Sequence, residues 1–114
     1  MANKLKRVEN IIMRNLTEII TYKMDDPHLG WVTITEVRLT RDYSYAKVFV
    51  NFIGDGDVNA KMDILNNAKG FLRFELAKTL SIKKIPELIF VYDDSEIRAA
   101  RIEELLNKDK EEEK

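Results

Sequence analysis

The spacing of apolar residues changes period twice along this chain, and that change limits what it can fold into. Between Asn3 and about Tyr22, Leu5, Val8, Ile12, Leu16, Ile19 and Ile20 recur in steps of three and four, the period of a helix with one buried stripe. Lys4, Arg7 and Arg14 fall on a separate, solvated stripe of the same helix. Asp25-Asp26-Pro27-His28-Leu29-Gly30 stops it, because the residue before a proline is pushed out of the α region and Gly30 tolerates a positive φ. From Trp31 to Thr40 the chain is rich in β-branched residues, and from Tyr45 to Ile53 it alternates Ala46, Val48, Val50 and Phe52 against Tyr45, Lys47, Phe49 and Asn51. Two strands joined by the short link Arg41-Asp42-Tyr43-Ser44 read as an antiparallel hairpin. Val32 and Ile34 have the opposite parity to Val37 and Leu39, so a bulge near Thr35 or Glu36 is needed to keep all four on one face.

Helical spacing returns after Gly54-Asp55-Gly56-Asp57, where Asp57 or Asn59 can cap the next helix. Met62, Leu65, Ala68, Leu72, Leu76 and Leu80 form one stripe, with a break or kink expected at Gly70. Leu88 to Tyr92, beyond Pro86, reads as a third strand of the uniformly apolar kind expected when both faces are covered. Ile97 to Leu106 adds a final short helix, and the charged residues from Asn107 onward, which have no apolar anchor, are expected to be frayed or disordered. The expected fold is α+β, a three-stranded sheet with its helices on one face. One domain over residues 1–106 and a charged tail over 107–114 accommodate the 114 residues.

The chain has no cysteine, which removes zinc-finger, iron–sulfur, thiol-nucleophile and disulfide-framework readings together. No apolar run approaches the roughly 20 residues that cross a bilayer, so a soluble, cytoplasmic protein without a membrane partner is expected. Asp55, Asp57 and Asn59 resemble the opening of a calcium loop, but Ala60 stands where the turn needs glycine and Asn66 where a bidentate glutamate should close the shell. A helix-capping loop is the better reading. Asp25-Asp26 and Asp93-Asp94 read as solvated turn residues, not magnesium ligands. His28 is the sole histidine and has no nucleophile motif beside it, and no phosphate-cradling glycine loop is present. The residues call for no enzyme, no cofactor and no metal.

Charge is the remaining signal. The net charge of -1 conceals segments of opposite sign: residues 1–24 sum to +3 and 61–84 to +4, whereas 25–60 sum to -3 and 87–114 to -5. Lys4, Lys6, Arg7 and Arg14 on the first helix, Lys61, Lys69 and Arg73 around the kink, and Lys78, Lys83 and Lys84 beyond it are the candidates for a phosphate-binding face. Ordinary solubilisation of helix surfaces is the competing reading. Trp31, Phe49 and Phe71 could stack on bases, but in a domain of this size they are expected in the core.

Several segments, taken in order, resemble a known family. They are Asp26-Pro27, Val32-Thr33-Ile34-Thr35-Glu36-Val37, Asp42-Tyr43-Ser44-Tyr45-Ala46-Lys47-Val48, Ala68-Lys69-Gly70-Phe71-Leu72-Arg73, Pro86-Glu87-Leu88-Ile89-Phe90 and Asp93-Asp94-Ser95. The family is ribosome-binding factor A, the bacterial small-subunit maturation factors, and the resemblance spans about residues 4–105. It implies a type II KH-like domain, α-β-β-α-kink-α-β, with an Ala-x-Gly kink at Ala68-Lys69-Gly70 in place of the usual Gly-x-x-Gly loop. It also implies a non-enzymatic assembly factor of ribosome biogenesis and cold adaptation. Such a factor binds free 30S subunits, contacts 16S rRNA and promotes late maturation and rRNA processing, with no DNA partner and as a monomer off the ribosome. By the resemblance Lys69 and Arg73 at the kink are the foremost RNA-binding candidates, followed by the first-helix basic residues. A protein-interaction module and a general RNA chaperone without subunit specificity remain as alternatives.

Overall fold

The computed structural model describes residues 3–112, and the side chains of 4–107. The elements are α1 (Asn3–Tyr22), β1 (Trp31–Leu39), β2 (Tyr45–Ile53), α2 (Val58–Asn67), α3 (Lys69–Ala77), β3 (Glu87–Tyr92) and α4 (Ser95–Glu112). β1 and β2 pair antiparallel, β2 and β3 parallel, in the order β1-β2-β3. A parallel pair needs a long crossover, and α2 with α3 supplies it over one face of the sheet. This is the α+β, type II KH-like arrangement expected.

The bulge falls where the parity argument requires it. Ile34 pairs with Val50 and Glu36 with Phe49, leaving Thr35 without a partner. Val32, Ile34, Val37 and Leu39 therefore all point to the helix side and are buried. The hairpin is closed by Asp42, whose carboxylate accepts from the Ser44 amide at 3.1 Å, the Ser44 hydroxyl at 2.8 Å and the Thr40 hydroxyl at 2.9 Å. These bonds hold its carboxyl at a pKa of about 2, and they stabilise a turn in which Tyr43 takes a φ of 64°.

On the covered face, Val8, Ile12, Leu16, Ile19 and Ile20 of α1 meet the inner residues of the sheet and Leu65, Leu72 and Leu76 of α2 and α3. Glu9 Oε2 accepts from the Leu39 amide at 2.7 Å, satisfying a donor on the β1 edge. Asn15 of α1 bonds Thr79, just beyond α3, at 3.0 Å, and Lys23, just beyond α1, bonds Glu75 of α3 at 3.1 Å, so the two helices are clamped at their C-terminal sides. The paired lysine lowers the Glu75 pKa first of all.

Three expectations are corrected here. The kink falls at Ala68 (φ −91°, ψ 3°), the first residue of the Ala68-Lys69-Gly70 segment the resemblance implied, and not at Gly70, where the spacing alone placed it and which is itself helical. β3 is not covered on both faces: Leu88 and Phe90 are buried, while Ile89 and Val91 belong to the uncovered face and are half-buried. The last helix begins at Ser95 and continues past Leu106 to Glu112, through much of the segment expected to be a loose tail; positions 113–114 of that tail lie outside the described residues.

Candidate nucleic-acid interface

The spacing of α1 that buries one stripe turns the opposite side to solvent, and the structure gathers cations there. Lys6, Arg7 and Arg14 line one shallow groove with Asn10 and Ile11. Lys4, one turn before Arg7, is exposed on the same helix. Together they offer guanidinium forks for bidentate phosphate contact and ammonium point charges beside them.

The second basic segment is not a single face. Lys61 is only 5% exposed. Its Nζ donates to the Asp55 carbonyl at 3.1 Å and lies 5.5 Å from the centre of the Phe52 ring. Phe52 in turn stacks on Tyr92, with ring centres 6.1 Å apart. Lys61 thus fastens the β2–α2 loop to the sheet, and the expectation that it joins an exposed phosphate-binding face is corrected. Arg73 is similarly committed. Its Nε donates to the Pro86 carbonyl at 3.1 Å and its Nη2 to that of Ile85 at 2.9 Å, so it anchors the entry to β3. The charge alternation of a helix face carries no record of such partners, which come from residues 12 and 13 positions away.

The other candidates are less enclosed than Lys61. Lys69, the first residue of α3, is half-buried beside the break. Lys78 is exposed, pairs with Glu75 at 3.3 Å and lies 4.6 Å from the centre of the Phe74 ring. Lys83 is exposed, and Lys84 reaches across to the Ser44 hydroxyl of the hairpin at 2.8 Å.

The aromatic residues expected in the core are not there. Trp31 is 63% exposed and Phe71 41% exposed. Phe49 is half-buried on the uncovered sheet face, with the Arg38 guanidinium 5.5 Å from its ring centre. Their positions follow from the one-sided layering: Trp31 and Phe49 occupy the outward parity of their strands. The same face presents Arg38 and Lys47, two cations that the segmental charge sum hid within an acidic stretch. Their alternation with Phe49 and Tyr45 along the strands was the signal that could have found them.

The acidic residues occupy turns and caps. Asp57 caps α2 by accepting from the Asn59 amide at 2.9 Å. Asp26 accepts from the His28 amide at 2.9 Å. Asp93 accepts from the Thr35 hydroxyl and from the Ser95 amide, which hold its carboxyl at a pKa of about 2. Among the described residues, no three His, Asp or Glu side chains converge as a metal site would require, and no helix is long and apolar enough to cross a membrane.

Comparison with known proteins agrees with this fold. The family model for ribosome-binding factor A matches residues 4–106. The chain belongs to the ribosome-binding factor A family. Ribosome-binding factor A of Thermodesulfovibrio yellowstonii is 42% identical over 103 residues, which cover 90% of this chain and 87% of that relative. The crystal structure of ribosome-binding factor A from Thermus thermophilus superposes with a TM-score of 0.72 at 27% identity, covering 77% of this chain and 93% of the other. A homology model of the Thermus thermophilus factor, fitted into an electron-microscopy map of its complex with 30S, gives a TM-score of 0.66 at 28% identity over the same shares of each chain. The family match takes in the α1 groove and the Ala68-Lys69-Gly70 break, and it ends inside α4.

Proposed function

We propose that this protein is a non-enzymatic ribosome assembly factor that binds free 30S subunits, contacts 16S rRNA and promotes late subunit maturation and rRNA processing in the cytoplasm. Membership of the family, together with the 30S complex of the Thermus thermophilus relative, supports the partner. The observation that carries the RNA contact is the α1 groove, where Lys6, Arg7 and Arg14 stand together without a carboxylate among the lining residues. Docking is electrostatic. Cations displace counterions from the rRNA backbone, so affinity falls as salt rises, and shape is read more than sequence. Lys4, Lys69, Lys83 and Lys84 extend the contact, and Lys78 adds a charge shared with Glu75. Lys61 and Arg73 act from within, by holding the loops that frame it.

The test is co-sedimentation of the purified protein with free 30S subunits, assembled ribosomes and protein-stripped rRNA at two salt concentrations. Salt-sensitive binding restricted to free 30S supports the proposal. Equal, salt-sensitive binding to free subunits, assembled ribosomes and stripped rRNA would make the protein a general RNA chaperone, and salt-insensitive binding would point to a protein-interaction module.

A further inference from the structure

The helix-free face of the sheet and one stripe of the otherwise charged α4 each carry apolar side chains that no helix covers, and they are joined by the connector Asp93-Asp94. On the sheet, Tyr45, Phe49, Ile89 and Val91 form adjoining rows, set by the pairs Tyr45 with Glu87, Lys47 with Ile89, and Phe49 with Val91. On α4, Ile102, Leu105 and Leu106 are 57%, 63% and 57% exposed. Separate apolar patches of this kind are costly in a soluble domain.

We propose that α4 is a strap that closes over the open face of its own sheet, seating Ile102, Leu105 and Leu106 on Tyr45, Phe49, Ile89 and Val91. Its start already borders that face: Arg98 lines one groove with Glu36, Arg38, Phe49, Val91 and Asp93. Residues four, seven and eight positions beyond Arg98 share its side of the helix, and these are Ile102, Leu105 and Leu106. The lengths match as well. The Tyr45–Glu87 row is five residues back from Tyr92, roughly 17 Å along the strand. A helix turning back from Ser95 covers that distance in about 11 residues, at Leu106.

The hinge is fixed on its sheet side. Asp93 bonds Thr35 and Ser95, its carbonyl accepts from Asn51 at 3.3 Å, and its amide donates to the Val50 carbonyl at 2.7 Å. Arg98 pairs with Asp94 at 2.9 Å across the same turn. Tethering gives α4 an effective concentration on this face that no separate chain matches at ordinary concentration. A nucleic acid is a poorer occupant. Arg38 is paired with Glu36 at 3.2 Å, Glu87 adjoins Tyr45, and the aliphatic Ile53, Ile89 and Val91 interrupt the rings of Trp31, Tyr45 and Phe49 as a stacking surface. The extended α4 is the open position of the strap, and closure hides the apolar face until α4 is drawn away.

The absence of cysteine allows a direct test. Asn107→Cys, on the side of α4 away from the apolar stripe, is labelled with a nitroxide in the full chain, and amide signals are recorded. Closure predicts loss of the Tyr45, Lys47 and Ile89 signals, and their recovery when Ile102→Asp and Leu105→Asp are added; both residues are exposed, so the fold is retained. Loss confined to α4 overturns the proposal. Loss that appears when labelled, signal-silent protein is mixed with unlabelled, observed protein also overturns it, by assigning the contact to a second copy. None of these outcomes depends on ribosome binding.

Discussion

At the residue scale, three side chains that sequence patterns class as surface charge do structural work: Lys61, Asp42 and Asp93. Lys61 is held by the Asp55 carbonyl and the Phe52 ring, and its chain packs against Gly56, where an added Cβ would come within 3.0 Å of the lysine Cε. Lys61→Ala should destabilise the domain by about 1–3 kcal/mol, because it removes the cation–π attraction, the hydrogen bond and the packing of the lysine stem; a urea midpoint unchanged from the parent would refute this. Asp42 and Asp93 both titrate near 2 in the folded state against 3.8 for the free group. Between those values the unfolded chain binds more protons than the folded one, so the stability these carboxylates contribute is present above about pH 4 and declines as pH falls toward 2. Denaturation midpoints measured from pH 5 to 2 should fall along that window. Asp42→Asn should be less stable than the parent at pH 5 and approach it at the acid end.

At the element scale, the α2–α3 break shows which part of a motif bends the chain. Helix propensity within the apolar spacing pointed to Gly70 as the breaker, yet Ala68, the first residue of the Ala-x-Gly signature, carries the non-helical backbone, while Gly70 is helical, exposed, and has nothing within 4 Å of the place a Cβ would occupy. Gly70→Ala should therefore stabilise the protein by roughly 0.5–1 kcal/mol, because the substitution reduces the entropy of the unfolded chain without a clash. Thermal unfolding checks this, and a lowered Tm would mean that the break needs the glycine after all. The Thr35 bulge was legible from parity alone, since only an inserted residue reconciles Val32 and Ile34 with Val37 and Leu39. The exact bend was not legible from local propensity, because alanine favours helix; only the family resemblance took in residue 68.

At the scale of the whole molecule, function follows from how one-sided layering distributes charge and apolar surface. Replacing Lys6, Arg7 and Arg14 by alanine should weaken 30S binding and reduce its logarithmic salt slope by about 1 for each phosphate no longer neutralised. The thermal midpoint should stay near that of the parent, since all three side chains are exposed. A slope equal to the parent's would place the RNA contact elsewhere. The sequence by itself determined the element order, the hairpin, the bulge and the buried stripe of α1, because local periodicity reports which side of each element must be dry. Only the tertiary structure decided that Lys61 and Arg73 are internal fasteners, that Trp31 and Phe49 face outward, and that β3 lines an uncovered face. Each of these depends on what another part of the chain places opposite the residue, and periodicity within one element does not encode its partner.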